Sequence, residues 1–207
     1  MKRKYDAVLF DLLTALLDSW TVWNRAAGSE EAGRRWRAGY LKLTYGCGAY
    51  RPYESLVAEA AALAGLGATQ VQALDDAWLT LEPWPGVAAT LATLAQRHRL
   101  GIVTNCSELR GRQAAARAGA RFDVIVTSER AGFYKPDPHP YRLALDELGL
   151  PPERVLFVAG SGFDLFGTAA LGLDTSWHNR VGLTPPAGAP APLAESPRIA
   201  DVLSLVA

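Results

Sequence analysis

The chain has 207 residues, of which 49% are hydrophobic, and its 21 Lys and Arg residues balance its 21 Asp and Glu residues. This length fits one large domain or a core with a small insertion, and the apolar fraction argues against disorder. A net charge of zero gives no electrostatic reason to expect nucleic acid or an anionic membrane surface as a partner.

The cysteine pattern and the N-terminus indicate where in the cell the protein is expected. Cys47 and Cys106 form neither a metal-binding pattern nor a disulfide framework, which favours a reducing cytoplasm. The basic N-terminus is followed by a short apolar run that ends at Asp11, so it does not predict a signal peptide. No apolar run is long enough to predict a membrane-spanning helix.

Short apolar runs along the chain predict five strands. The predicted strands comprise residues 5–10, 100–103, 122–126, 154–158 and 174–177. Apolar residues at helical spacing predict helices at residues 87–97, 108–118 and 140–148. Strands that alternate with helices of this length predict an α/β fold, in which a parallel sheet carries helices on both faces.

The segment from about residue 14 to residue 82 carries no strand signal and shows helical periodicity, for example at residues 54–64 and 71–81. It is too long for an ordinary crossover between two strands, so we predict an inserted cap of helices. Two prolines and a glycine near residue 85 mark the return to the core. The predicted division is a core of residues 1–14 and 83–207 and a helical cap of residues 15–82.

Polar residues follow four of the predicted elements. They are Asp11, the pair Thr104-Asn105, Lys135 in a loop, and the stretch from Ser161 to Asp164. Because ligands of open parallel sheets bind beyond the carboxyl ends of the strands, these groups could meet in one crevice as nucleophile, anion holder and charge-balancing lysine. The alternative is that polar residues end strands because water is there.

These residues also resemble a known family. Phe10-Asp11, Val103-Thr104-Asn105, Tyr134-Lys135-Pro136 and Gly162-Phe163-Asp164 look like the four motifs of the haloacid dehalogenase superfamily, and the likeness covers nearly the whole chain. The resemblance implies a Rossmann-like core and an aspartate, here Asp11, that forms a covalent intermediate.

Within that superfamily, phosphatases carry a second aspartate two residues after the nucleophile, where this chain has Leu13, which can neither give nor take a proton. Other features resemble the L-2-haloacid dehalogenases. Arg37 matches the arginine that meets the substrate carboxylate and the departing halide, Tyr141 lies six residues after Lys135, and residues 177–180 look like the Trp-x-Asn-Arg segment.

The chain also departs from the family pattern. Ala15 replaces the expected threonine, although Thr14 lies one residue earlier, and Ala159 and Gly160 replace two serines of the fourth motif. Ser161 is the one hydroxyl that survives there. In the family these groups help to hold the nucleophile and the hydrolytic water.

The resemblance implies hydrolysis of a small 2-haloacid through an Asp11 ester. The predicted catalytic residues are Asp11, Lys135 and Asp164. The predicted substrate-binding residues are Arg37, Thr104, Asn105, Tyr141 and Ser161. This reaction requires no metal or other cofactor, and the predicted partner is a small acid substrate. Because relatives of this type are often dimers, the resemblance also suggests a homodimer.

Two alternatives remain open from the sequence. The first is a phosphatase of small phosphate esters, which would need Mg²⁺ between Asp11 and Asp164, with the carbonyl of Leu13 as a third ligand. The second is a catalytically weak protein of this fold that binds a small carboxylate.

Overall fold

A computed structural model describes residues 4–207, and residues 1–3 of the predicted core lie outside the described residues. At its centre is a parallel sheet of six strands in the order β3-β2-β1-β4-β5-β6. In chain order the strands are β1 (Ala7–Phe10), β2 (Arg99–Thr104), β3 (Val124–Thr127), β4 (Val155–Ala159), β5 (Asp174–His178) and β6 (Ala194–Ser196).

Ten α-helices are formed by the described residues. They are α1 (Ser19–Ala27), α2 (Glu30–Gly46), α3 (Tyr53–Leu63), α4 (Ala68–Asp76), α5 (Val87–Leu94), α6 (Glu108–Arg117), α7 (Ser128–Ala131), α8 (Pro138–Leu148), α9 (Asp164–Ala169) and α10 (Val202–Val206). None of the helices within residues 4–207 combines the length and apolar character needed to cross a bilayer.

Strand β1 lies in the middle of the sheet because all four of its side chains are apolar and can be buried on both faces. Val8 and Phe10 pack into the larger core cluster, whereas Ala7 and Leu9 pack into the smaller one on the opposite face. Helices α5 and α6 cover the first face and α8 covers the second. The predicted sheet with helices on both faces is therefore confirmed.

The sixth strand, β6, was not predicted from the sequence. It has three residues and, among residues 4–207, pairs only with β5 and forms one edge of the sheet. Its sequence is Ala-Glu-Ser and none of the three residues is buried, so no apolar run marks it as a strand.

Helices α1–α4 follow β1 and precede the rest of the sheet. The chain enters and leaves this helical insertion side by side, since Leu17 and Pro83 form an antiparallel bridge and the amide of Asp18 donates to the carbonyl of Glu82 at 2.8 Å. Inside the insertion, Trp23 packs on Trp36 with ring centroids 4.9 Å apart. The insertion thus covers the edge of the sheet at which β1 ends.

Candidate active site

A cavity of about 220 Å³ lies at the carboxyl edge of the sheet, between the strand ends and the helical insertion. Its sheet side includes Asp11, Thr104 and Lys135, and its other side includes Trp20 and Arg37. We call the first side the floor and the second side the roof. The topology therefore brings the groups at the ends of β1 and β2 and the lysine of the loop between α7 and α8 into the same space.

The carboxylate of Asp11 is held through both oxygens. Oδ1 accepts a hydrogen bond from Lys135 Nζ at 2.8 Å. Oδ2 accepts three, from the amide of Thr14 at 2.9 Å, from the hydroxyl of Thr14 at 2.6 Å and from the amide of Ala15 at 3.2 Å. The turn that follows β1 thus fixes the orientation of the carboxylate from the backbone.

Lys135 links the two buried carboxylates of the floor. Its Nζ lies 2.8 Å from Asp11 Oδ1 and 2.9 Å from Asp164 Oδ1. The hydroxyl of Tyr141 also donates to Asp164 Oδ1, at 2.6 Å. Within residues 4–207 no group donates to Asp164 Oδ2, so this oxygen is available to a molecule in the cavity.

The two carboxylates of the floor differ in their tendency to ionise. Burial by itself raises the pKa of Asp11, but the Lys135 ammonium and the hydrogen bonds from Thr14 outweigh burial and hold that pKa below its usual value. Burial dominates for Asp164, and its pKa lies above its usual value, although Lys135 opposes the shift. One carboxylate is thus suited to stay charged, and the other to accept a proton.

Asn105 holds the loop that carries Lys135. Its side-chain oxygen accepts from the amide of Lys135 at 2.7 Å, and its side-chain nitrogen donates to the carbonyl of Lys135 at 2.9 Å. The hydroxyl of Ser128 donates to the same Asn105 oxygen at 2.7 Å. The amide that the sequence predicted as a substrate ligand lines the cavity and also clamps the lysine backbone.

Arg37 reaches the cavity from the inner face of α2. The guanidinium lies 4.1 Å from the ring centroid of Trp20, and its Nη1 donates to Ser19 Oγ at 2.9 Å. Among residues 4–207 no carboxylate forms an ion pair with it. Burial lowers the pKa of Arg37, and the negative charge of Asp11 opposes this effect. A buried guanidinium without a paired carboxylate is suited to bind an anion.

The helical period explains why Arg37 points inward. Arg34 and Arg35 lie on the outer face of α2, where each pairs with a glutamate four residues earlier, Glu30 and Glu31. Arg37 lies on the opposite face, and it is 7% exposed.

The remaining predicted residues occupy different places. Thr104 and Ser161 line the cavity. Tyr141 does not line it, because the ring is fully buried behind Asp164. The structure thus brings seven of the eight predicted residues to the cavity wall and places Tyr141 directly behind that wall.

Several wall residues were missed by the sequence analysis. Leu41 and Tyr45 follow Arg37 at intervals of four residues, so the period of α2 could have found them. Leu183 comes from a distant loop, which is shaped by the side chain of Asn179 bonding to its amide at 2.7 Å and to its carbonyl at 2.8 Å. The resemblance of residues 177–180 to the family segment marked Asn179, but no sequence signal marked Leu183 itself.

The donor set is a poor match for a divalent metal. Mg²⁺ prefers an octahedron of oxygen ligands, whereas here both carboxylates already bind the Lys135 ammonium, and position 13 is an apolar leucine whose carbonyl accepts from Ser19 Oγ. In the described part of the chain, no group of three His, Cys, Asp or Glu side chains is arranged to hold a metal ion.

A family model and two relatives that match most of the chain all indicate a haloacid dehalogenase-like protein. Residues 5–172 match the family described as haloacid dehalogenase-like hydrolase. The chain is 29% identical to (S)-2-haloacid dehalogenase H-109 of Pseudomonas putida, over 86% of this chain and 87% of that protein. It is 30% identical to (S)-2-haloacid dehalogenase 1 of Pseudomonas sp. strain CBS-3, over 84% and 85%.

The fold is similar to a solved structure of L-2-haloacid dehalogenase from Xanthobacter autotrophicus. The TM-score is 0.86 at 25% identity, and the superposition covers 98% of each chain. The Rossmann-like architecture expected from the sequence is therefore confirmed by whole-chain similarity rather than by the sheet alone.

Proposed function

Since the chain belongs to the haloacid dehalogenase-like hydrolases, we propose that it hydrolyses the carbon–halogen bond of a small 2-haloacid through an ester on Asp11. One observation carries the proposal: the carboxylate of Asp11, whose pKa lies below its usual value, faces the same cavity as the buried guanidinium of Arg37, with which no carboxylate of residues 4–207 forms an ion pair. Asp11 thus provides a nucleophile for C2 of the substrate, and Arg37 provides a binding site for the substrate carboxylate.

In the first step, Asp11 Oδ1 forms a bond to C2 while the carbon–halogen bond breaks, and the halide leaves with the bonding electrons. Arg37 holds the substrate carboxylate, and Thr104 contributes to the cavity wall beside it. Lys135 keeps Asp11 ionised, because the ammonium favours its charged form. Attack from the side opposite the halogen inverts the configuration at C2.

In the second step, water adds to Cγ of Asp11. Asp164 takes one proton of the water through Oδ2 and passes it to Oδ1, which leaves on C2 as the hydroxyl of a 2-hydroxy acid. The second proton goes to solvent when the carboxylate of Asp11 is restored. Lys135 stabilises the charge that develops on the departing Oδ1, to which it is already bonded.

The remaining predicted residues receive supporting roles in this proposal. Asn105 positions Lys135 through its two backbone bonds, and Tyr141 orients Asp164 through its hydroxyl. Ser161 lines the same cavity as Asp164, and in this proposal its hydroxyl contacts the hydrolytic water. No step uses a metal or another cofactor.

The relatives support the choice of substrate class. Two that match most of the chain are named as dehalogenases of (S)-2-haloacids. The apolar Leu13 in the wall also favours halide displacement over phosphate-ester hydrolysis, since a leaving halide needs no proton.

The test is halide release from (S)-2-chloropropionate, with the configuration of the product determined by chiral chromatography. We expect (R)-lactate, unchanged activity in EDTA and no release by Asp11→Asn. Phosphate release from a phosphomonoester that depends on Mg²⁺ would contradict the proposal and favour the phosphatase. Binding of propionate without turnover of either substrate would favour the catalytically weak carboxylate-binding protein.

Three further predictions belong to this proposal. The division into a core of residues 1–14 and 83–207 and a cap of residues 15–82 is supported by the paired entry and exit of the insertion near Leu17 and Pro83. The homodimer and the cytoplasmic location stay predictions from the sequence. Sedimentation of the full chain tests the first of these two, and fractionation of the producing cells tests the second.

A further inference from the structure

The turn after β1 surrounds one oxygen of the nucleophile with hydrogen-bond donors. The Thr14 amide, the Thr14 hydroxyl and the Ala15 amide lie 2.9, 2.6 and 3.2 Å from Asp11 Oδ2. The other oxygen, Oδ1, accepts only from Lys135 within the described residues. A carboxylate oxygen with three donors has no lone pair left for attack, whereas Oδ1 retains one. Oδ1 is therefore the oxygen that attacks.

This asymmetry decides what Oδ2 becomes. Once Oδ1 is bonded to C2, Oδ2 is the carbonyl oxygen of the ester, and it carries the negative charge when water adds to Cγ. Donors that already surround this atom stabilise that charge without rearrangement, which is how oxyanion holes accelerate acyl transfer. Two of the three donors are main-chain amides of a buried turn, and the third is a side-chain hydroxyl.

Gly160, at the end of β4, leaves room for the Thr14 hydroxyl. A Cβ at position 160 would overlap Thr14 Oγ1 and the Ala15 amide nitrogen and would lie 2.6 Å from the Thr14 carbonyl carbon. Gly160 is not among the glycines with positive φ, so the backbone conformation does not require glycine there. The limited space requires glycine instead, because Cβ contacts below about 3 Å force a neighbour to move.

We propose that the Thr14 hydroxyl and the amides of Thr14 and Ala15 form the oxyanion hole for hydrolysis of the Asp11 ester, and that Gly160 provides the space this arrangement needs. The inference rests on the proposed function, since it assigns a role in the second step of that reaction. It makes Thr14 a catalytic residue that the sequence did not identify, although its hydroxyl lies one residue before the lost threonine position.

The experiment compares wild type with Thr14→Val and Thr14→Ser in the full chain, using (S)-2-chloropropionate. Quenched samples are analysed by mass spectrometry for the propionate ester, and halide release is followed in the first turnover. For Thr14→Val we expect a first turnover of halide near the wild-type rate, accumulation of the ester and hydrolysis of that ester slowed about 100-fold. Thr14→Ser keeps the hydroxyl and should stay within about threefold of wild type.

The outcomes separate this inference from the proposed function. If wild type releases halide but Thr14→Val neither accumulates ester nor slows steady-state release, the oxyanion hole is wrong while the dehalogenase stands. Equal slowing of both half-reactions, shared by Thr14→Ser, would indicate a structural role and would also overturn it. If wild type forms neither halide nor ester, the proposed function itself fails.

Gly160→Ala provides the second arm. The added methyl displaces Thr14 Oγ1 and the Ala15 amide together, so ester hydrolysis should slow at least as much as in Thr14→Val. Gly46→Ala is the matched control, because a Cβ at position 46 would meet nothing within 4 Å. If Gly160→Ala hydrolyses the ester as fast as Gly46→Ala does, the space argument is wrong. A melting curve for each variant verifies that it is folded.

Discussion

The floor and the roof of the cavity are built on opposite principles. On the floor, each charge has a partner: Lys135 binds both Asp11 and Asp164 at 2.8 and 2.9 Å. On the roof, the buried guanidinium of Arg37 packs on Trp20 and has no carboxylate partner among the described residues. A fully paired floor fixes reacting groups in place, and an unpaired roof charge leaves a site for a charge that arrives with a ligand.

This difference predicts that floor variants change kcat, whereas roof variants change KM. Loss of a group that acts on the reacting atoms lowers kcat and kcat/KM together. Loss of a group that binds the substrate equally in the ground state and the transition state raises KM. The two sides can therefore be separated by steady-state kinetics of single variants, each with a control that lies away from the cavity.

The largest effect is expected on the floor, from Lys135→Met. The change leaves Asp11 and Asp164 buried without their shared cation, which should lower kcat by more than about 1,000-fold. It should also lower the free energy of unfolding by about 3–5 kcal/mol, as for other broken buried ion pairs. Halide release and urea denaturation measure the two effects.

Lys42→Met is the control for this variant, because Lys42 is exposed on α2. It should leave both kcat and the unfolding free energy at their wild-type values. A Lys135→Met variant that keeps wild-type kcat would show that the floor does not carry the chemistry.

The second effect is expected on the roof, from Arg37→Met. Loss of the guanidinium should raise KM for (S)-2-chloropropionate by about 100-fold, which corresponds to about 2.7 kcal/mol of carboxylate binding. The smaller change should be in kcat, because Arg37 has no direct bond to Asp11 or Asp164.

The outer face of the same helix supplies the control for this variant. Arg35→Met removes a guanidinium that is exposed and pairs with Glu31. If Arg37→Met and Arg35→Met have the same KM, the roof is not the anion site. If Arg37→Met instead lowers kcat by more than it raises KM, the contrast between floor and roof fails.

The two sides also differed in how well the sequence predicted them. Asp11 follows four apolar residues that are buried on both faces of β1, so a local pattern fixed both the strand and the edge at which the carboxylate lies. On the roof, choosing Arg37 over Arg34 required the phase of α2 or a resemblance to known motifs. The motif pattern pointed to Arg37, and the helix geometry explains the choice.

Contacts between segments that are distant in the chain could not be predicted from the sequence. The loss of threonine at Ala15 suggested a weakened hold on Asp11, yet Thr14 donates to the same carboxylate from one residue earlier. That contact depends on Gly160, which is far away in the chain and leaves no pattern near Thr14. The edge strand β6 was missed for a similar reason, since its pairing with β5 is its main determinant.

The third effect is expected on the floor, from Tyr141→Phe, and concerns the pH dependence of kcat. Activity in the second step requires Asp164 to be ionised so that it can take a proton, and burial already raises its pKa above the usual value. The hydroxyl of Tyr141 favours the ionised form, so Tyr141→Phe should raise that pKa further. As pH falls, the variant should therefore lose kcat at a higher pH than wild type.

Comparison of the pH profiles of kcat for wild type and Tyr141→Phe measures this shift. Tyr5→Phe is the control, because Tyr5 also donates to an aspartate, Asp174, but does not line the cavity. Its acid limb should coincide with that of wild type. An acid limb of Tyr141→Phe that moves to lower pH would assign the titration to a group other than Asp164.

The smallest effect is expected two contacts away from the reacting atoms, in Ser128→Ala. Ser128 Oγ donates to Asn105 Oδ1 at 2.7 Å, and that oxygen in turn accepts from the amide of Lys135. Without the hydroxyl, Asn105 keeps both of its bonds to Lys135 but loses the group that fixes its amide plane. One neutral hydrogen bond contributes about 1 kcal/mol, so kcat should fall about fivefold with KM unchanged.

Ser204→Ala is the matched control for this last variant, since Ser204 is exposed on α10 and bonds only to the carbonyl of Asp201 among the described residues. Because Ser128 acts through Asn105, the double variant with Asn105→Ala should lose no more kcat than Asn105→Ala alone. Independent losses that multiply would show that Ser128 reaches the floor by another route. A rise in KM without a fall in kcat would place Asn105 on the substrate side of the cavity rather than behind the lysine.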